Sequence, residues 1–536
     1  MSTTSGAAET QSGHVGRVAR STVIVMAGMA ASIGVGLLRQ RIVAQAFGTG
    51  AALDAYSAAN GIPELLFNLL AGGALAFAFI PVYTGLLEDD DQTGSNRLAS
   101  QVINLIFLLT ALASALVAAL APTLVSAPWG IAPNFPPEVQ RLTVELMRIL
   151  LISTVIFSVS GIVTGMLHAH QHFLLPALTP IMYSAGIIIG ALVLAPSLGV
   201  HGLAWGAVIG AGLHLLIQLP GLAIYRVRWV PALGLTNPAL HRVAVLMAPR
   251  MVDLLMARIM IDWINSNIGS GLGEGRVSAL RYAYQLVNMP WTLIGTAIGI
   301  AVFPTMAALA AHKDVQAQRE ALSGSLRAVL TLALPAAVGL IVLGRPVIRL
   351  LFEGGEFTAQ STELVFYALQ FYTLVLISQT MLEVVVRAFA AQQDTLTPLI
   401  VSFFTTALNI GLAILLARPL SEGGLAHGGL PLANGIAVLV EVLAGLTILH
   451  FRWKGINAGR IALDALKAGA AAGAMGLAVS AFETVLSPGT LPLLAGGGLI
   501  GLVVYLSLAL LLGIKEVKTV PLALLRRYTG QRDAAA

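Results

Sequence analysis

Cysteine is missing altogether and charge is scarce: of 536 residues none is cysteine, 10% are Asp, Glu, Lys or Arg, and 6% are aromatic. Without thiols the chain has no disulfide, no thiolate metal site and no cysteine nucleophile. A soluble domain carries about 25% charged residues, so this chain lacks the polar groups to cover a water-facing surface. The G-x-x-x-x-G-K-[ST] phosphate loop, the H-E-x-x-H zinc helix and the G-x-S-x-G nucleophile elbow are missing too. ATP hydrolysis by the usual route is thereby excluded, and the expectation is a protein that is not an enzyme and needs no cofactor.

Apolar sequence is abundant, at 57% of all residues. A run of about 20 such residues crosses a bilayer. Runs of this kind occupy 21–46, 56–84, 98–121, 142–167, 174–196, 202–225, 240–266, 277–310, 321–343, 362–389, 397–417, 428–450, 461–483 and 490–513. The fold class expected is an all-α polytopic membrane protein of about 14 transmembrane helices. The opening MSTTSGAAETQSGHVGR is too polar for a secretory leader and reads as a cytoplasmic tail.

The net charge of +5 matters less than its distribution. Arg17 and Arg20, Arg97, Arg226 with Arg228 and Arg242, Lys313 with Arg319, Arg452 with Lys454 and Arg460, and the tail from Lys515 onward fall in alternate connections. That bias places both termini in the cytoplasm. SAPWGIAPNFPPEVQ, rich in proline and holding Trp129, reads as a loop on the opposite face.

Two passages echo each other across the chain. DAYSAANGIPELL with FAFIPVY returns as RYAYQLVNMPWTL with AVFPTMA, and GMLHAHQHFLLPALTPI returns as VRAFAAQQDTLTPLI. Transporters are often built from two related halves that rock around a central site. The expected division is 1–20 tail, 21–232 N-lobe of helices 1 to 6, 233–455 C-lobe of helices 7 to 12, 456–514 helices 13 and 14, and 515–536 cytoplasmic C-terminal tail, with the two six-helix lobes pseudo-symmetric.

Charges inside apolar segments are costly and line internal cavities. Arg39, Arg41, Asp54 and Glu64 lie within or beside the first two segments, and Pro63, Gly72 and Gly73 interrupt the second. Arg281 enters the segment that repeats helix 2, with Gln285 one turn on and Pro290 matching Pro63. Arginine around a cavity suits phosphate, because guanidinium stays charged and forms forked hydrogen bonds. Helix 7 places Arg250, Asp253, Arg258 and Asp262 so that they can pair along one side. His168, His170 and His172 do not share a helical face and read as interfacial polar residues rather than metal ligands.

The passages LLRQRIVAQAFGTGAALDAYSAANGIP, GGALAFAFIPVY, HFLLPALTP, LFEGGEFTAQS and FAAQQDTLTP together resemble the MurJ, or MviN, family of lipid II flippases, within the multidrug/oligosaccharidyl-lipid/polysaccharide exporter superfamily. The resemblance implies a cell-wall role in peptidoglycan biosynthesis and cell shape: movement of undecaprenyl-pyrophosphate-linked lipid II from the inner to the outer leaflet of the bacterial cytoplasmic (inner) membrane by alternating access. It implies an arginine-rich cavity, to which Arg39, Arg41, Asp54, Arg281 and Gln285 are assigned, and a lipid-tail groove at helices 13 and 14. Pro63, Gly72, Gly73 and Pro290 become gate or hinge positions. Sodium coupling in relatives assigns Asp253, Asp394, Thr406 and Asn409 as oxygen donors; coupling to the membrane potential is the alternative. The pattern departs at Gln40, Phe67, Gly72, Tyr284, Gln285 and Asn288, where family members carry charge. A relocated clamp of Arg39, Arg41 and Arg281 is the expected repair. Other readings are export of another polyprenyl-linked saccharide or an amphipathic small molecule, or a scaffold for cell-wall synthesis proteins. Membrane lipids are expected partners and nucleic acid is not.

Overall fold

The computed structural model describes residues 28, 31–70, 73–234, 236–245, 247, 263–487, 489–514 and 516–517. Gly72 and the helix 7 residues Arg250, Asp253, Arg258 and Asp262 lie outside them. The described residues form helices and their connections: α1 (31–47), α2 (Ala51–Leu70), α3 (Gly73–Glu88), α4 (Gln92–Ser126), α5 (Pro137–Ala169), α6 (Leu174–Leu198), α7 (Val200–Ile224) and the short α8 (Ile264–Gly269). They continue with α9 (Arg276–Ala311), α10 (Val315–Phe352), α11 (Ala359–Ala391), α12 (Leu396–Leu416), α13 (Ala426–Trp453), α14 (Ala458–Leu486) and α15 (Thr490–Leu511). Eleven of these, α4 to α7 and α9 to α15, are long and apolar enough to cross a membrane. The expected second span is described on either side of residues 71 and 72, as α2 and α3; those two residues lie outside the described ones. The expected eighth span stays continuous, and its proline is followed by a π-turn at Thr292–Thr296. An extra residue per turn is a common way to absorb the hydrogen bond that a proline removes.

The chain divides into two compact units, residues Met1–Glu274 with Gly354–Phe357 and residues Gly275–Glu353 with Thr358–Ala536. In the first, Phe79 and Tyr83 of α3 pack with Leu98 and Val102 of α4 and Ile162 and Met166 of α5. Lipid tails are as apolar as leucine, so close contact and hydrogen bonds hold such helices together more than the hydrophobic effect does. The seam between α6 and α7 illustrates this. A Cβ on Gly186 would stand 2.2 Å from the Gly210 Cα, and one on Gly190 2.6 Å from the Gly206 Cα. The four-residue spacing of these glycines brings the two backbones into contact. Opposite the basic connections, the Pro-rich loop is tied to α8: Trp263 Nε1 donates to Trp129 O at 2.8 Å, and Asn267 Nδ2 donates to Gly130 O.

In the second unit, Leu322 and Val329 of α10 meet Val384 and Phe389 of α11 and Val442 and Leu449 of α13. The last two helices pack firmly here. Ala468, Ala472 and Met475 of α14 enclose Tyr505 and Ala509 of α15, and Tyr505 Oη donates to Thr331 O of α10 at 2.5 Å. Arg327 Nη1 of α10 lies 3.1 Å from Asp464 of α14 and 2.9 Å from Glu516 beyond α15.

Three helix ends in the first unit recur in the second. Gln171 (φ 56°) and Gln393 (φ 59°) close α5 and α11 in the left-handed region. The following N–H then reaches back to the last turn, His172 to Leu167 O at 2.8 Å and Asp394 to Phe389 O at 3.1 Å. This six-to-one bond satisfies carbonyls that a helix end leaves open. Asp90 and Lys313 end α3 and α9 in the same way, and the next residues, Asp91 and Asp314, cap α4 and α10 through side-chain bonds from Gly94 N and Ala317 N. Arg226 and Lys454 form the third pair, after α7 and α13. The sequence echo is thus matched at backbone level.

Candidate functional site

Arg39 sits half-buried on α1, and its Cζ stands 5.9 Å from the centroid of the Tyr183 ring on α6. No carboxylate among the described residues pairs with it. Arg41 is exposed. Two residues on a helix are separated by about 200°, so these arginines point to nearly opposite sides of α1 and do not form the two halves of one clamp. Asp54 is only 1% exposed in the first turn of α2. A carboxylate there is stabilised by the positive helix N-terminus, and in this conformation Asp54 is enclosed. Arg281 is exposed on α9 of the second unit, with half-buried Gln285 one turn further on the same face. Tyr284 beside them lies 5.8 Å from the Tyr372 ring.

Pro63 is buried inside α2, where its carbonyl, otherwise engaged only within the helix, accepts the Thr154 hydroxyl of α5 at 3.3 Å. The described part of α2 runs to Leu70 and that of α3 starts at the expected hinge residue Gly73. Pro290 lies just before the π-turn of α9, where a Cβ on Gly295 would stand 2.9 Å from the Thr380 Cα of α11.

Of the described ion donors, Asp394 lies apart from Thr406 and Asn409. Asp394 precedes α12, where its carboxylate accepts the Thr397 N–H at 2.9 Å and hydroxyl at 2.7 Å, with Arg452 Nη1 at 2.5 Å. The Thr397 hydroxyl and N–H, with Arg452 beside them, hold this carboxyl down at about 2. Thr406 and Asn409 are roughly 18 and 22 Å further along the helix at 1.5 Å per residue, too far to share an ion with Asp394. Thr406 Oγ1 donates to Ser402 O at 2.6 Å, and Asn409 is buried at 3% exposure. Asp253 is among the residues not described. A different carboxylate faces this part of α12: Glu441 of α13 accepts the Thr405 hydroxyl at 3.2 Å and a bond from Ser402. Its signal was legible, as the one acid within an apolar run.

Sequence reasoning also passed over a polar network in the first unit. Ser160 Oγ lies 2.7 Å from His214 Nδ1, Gln218 Nε2 donates to Ser160 Oγ at 2.8 Å, and Thr164 Oγ1 donates to Gln218 Oε1 at 2.8 Å. Histidine and glutamine inside an apolar span were the available clue. The His168, His170 and His172 triplet is drawn into aromatic contacts. His170 stacks on Tyr225 at 4.2 Å and 9°, with Tyr83 Oη 3.3 Å from its Nε2, and His172 Nδ1 lies 3.4 Å from Tyr225 Oη. Burial in this stack holds the His170 pKa below its ordinary value.

Comparison with known proteins gives a consistent result. Residues 43–495 match the family model described as lipid II flippase MurJ. A lipid II flippase MurJ of Burkholderia cenocepacia is 31% identical over 438 residues, covering 78% of this chain and 81% of that protein. A probable lipid II flippase MurJ of Vibrio cholerae is 30% identical over 518 residues, covering 93% and 97%. Among solved structures, a lipid II flippase MurJ in an inward closed conformation superposes with a TM-score of 0.75 at 25% identity, covering 91% of this chain and 98% of that one. An inward-facing multidrug resistance MATE family transporter of the MOP superfamily matches with a TM-score of 0.67 at 17% identity, covering 79% and 95%, which speaks for the fold alone.

Proposed function

The chain belongs to the lipid II flippase MurJ family, and from that membership we propose that it carries lipid II from the inner to the outer leaflet of the bacterial cytoplasmic membrane. The observation that carries this reading is Arg39, a half-buried guanidinium on α1 with no carboxylate partner among the described residues. An arginine at membrane depth is retained where it has an anion to meet. Pyrophosphate is such an anion, and Arg39 offers it charge-assisted hydrogen bonds that replace part of its lost hydration.

The head group enters from the cytoplasmic side while the polyprenyl tail stays in lipid, and two pseudo-symmetric lobes alternate their access to it. The repeated helix ends support the pseudo-symmetry. Both termini lie in the cytoplasm, as the basic connections indicate. An inside-negative membrane potential favours the outward step by about 2.3 kcal/mol per net negative charge per 100 mV. With Asp394 engaged by Arg452 and Thr397, Thr406 and Asn409, one turn apart on α12, remain as oxygen donors for a sodium ion. Within the second unit, Arg281 and Gln285 on one face of α9 offer the same chemistry to phosphate, and Pro290 and its π-turn supply a hinge.

The test is rescue of cells depleted of their own lipid II flippase. Growth with the wild-type chain and failure with Arg39→Ala at equal expression is the expected result. No rescue by well-expressed wild-type chain would favour another polyprenyl-linked saccharide, and rescue undiminished by Arg39→Ala would favour a scaffold.

A further inference from the structure

Arg39 stands at one end of a row of rings contributed by four further helices of the first unit. Phe67 of α2 is 5.5 Å from Phe157 of α5. Phe157 meets Tyr183 of α6 at 4.9 Å and His214 of α7 at 5.1 Å, both edge to face. Tyr183 then carries the Arg39 guanidinium above its ring. All five residues are half-buried, whereas the core rings of the same unit, Phe79 and Tyr83, are 0% exposed. A guanidinium in an apolar segment lines an internal cavity rather than lipid, and these half-buried rings adjoin it.

The row is held from behind. A Cβ on Gly210 would stand 2.6 Å from Tyr183 O and 2.9 Å from its ring, so α7 fixes the tyrosine through direct backbone contact. His214 is fixed in turn by Ser160 and Gln218. Rigid, half-exposed rings bind with little loss of side-chain freedom. Phe67 also stands where the family resemblance places an arginine, so apolar ring surface occupies a position given to charge in relatives.

A guanidinium beside an aromatic face suits a ligand with an anion directly attached to a ring that has an apolar face. A pyranose linked to pyrophosphate has that form: its axial C–H groups pack on an aromatic ring, and its phosphate oxygens accept from arginine. Resting on the flippase reading above, we propose that Tyr183, backed by Phe157 and Phe67, is the platform for the first sugar of the lipid-linked saccharide. Without substrate, Arg39 rests over the Tyr183 ring. Pyrophosphate draws the guanidinium into hydrogen bonds, and the vacated ring face receives the sugar.

Two probes separate this from a role in packing: lipid II, and undecaprenyl pyrophosphate, which has the same tail and a pyrophosphate that ends in a free phosphate in place of the sugar. Binding of each to the purified full-length chain in lipid nanodiscs is measured for wild type, Tyr183→Leu, Tyr183→Phe and Arg39→Ala, with melting temperatures alongside. Tyr183→Leu is expected to weaken lipid II about tenfold while leaving undecaprenyl pyrophosphate within about twofold. Tyr183→Phe, which keeps the ring, restores the preference for the sugar-bearing lipid, and Arg39→Ala weakens both. If Tyr183→Leu does not fold, Phe67→Leu is read in the same way, with a smaller selective loss expected. Equal loss of both lipids, or no loss of either, overturns the platform and leaves the flippase reading standing. Failure of the wild type to bind either lipid overturns that reading, and the platform with it.

Discussion

Arg39 and Asp54 are both charged groups in apolar surroundings, yet the structure gives them different tasks. Asp54 is enclosed at a helix N-terminus, whereas Arg39 keeps an accessible guanidinium on an aromatic face. Replacing Arg39 by alanine is expected to slow lipid II flipping about 10- to 100-fold, the cost of one or two charge-assisted hydrogen bonds. Arg39→Lys should recover only part of this, because ammonium cannot fork; a leaflet-exposure assay for lipid II checks both. Glu441 accepts two hydroxyls from α12. Glu441→Leu leaves Thr405 and Ser402 without that acceptor and should lower stability by about 1–3 kcal/mol, while Glu441→Gln retains an acceptor and loses less; thermal unfolding in detergent separates the two. His170 is held below its ordinary pKa by burial, so the unfolded chain binds its proton more readily than the folded one. Stability is therefore expected to fall as pH drops below about 6.5, and His170→Phe should flatten that slope in a melting series from pH 7.5 to 5.

At the level of elements, α6 and α7 act as one unit because glycine replaces side chains along their seam. Gly206→Leu would push into the Gly190 Cα and Gly186 O, atoms that cannot rotate away. A loss of at least about 1–3 kcal/mol is expected, and the disturbance should reach Tyr183 and with it Arg39. Reduced lipid II binding together with a lowered melting temperature would verify this, whereas Gly212→Ala, at a position with open space, should change neither. The π-turn of α9 is invisible in composition, although Pro290 marked where to look.

Across the whole molecule, the last two helices are pinned to α10 by charge as well as by packing. Arg327 faces Asp464 and Glu516 together, and all three side chains are largely buried. Arg327→Met would leave two carboxylates without their cation and is expected to cost about 3–5 kcal/mol; detachment of α14 and α15 should appear as faster amide exchange around Ala468 to Met475. The sequence by itself determined the all-α membrane class and the eleven spans found among the described residues, and it pointed to the repeat, because apolar run length and proline and glycine positions act locally and recur along the chain. It also named Arg39, since charge within an apolar run is conspicuous in one dimension. Tertiary structure decided which named residues share a place. Helical phase set Arg41 opposite Arg39, axial rise carried Asp394 away from Asn409, and glycine contacts between α6 and α7 brought Tyr183, Phe157 and His214 together in the row beside Arg39. Those outcomes depend on direction and distance across helices, which a linear pattern of hydrophobicity and charge does not contain.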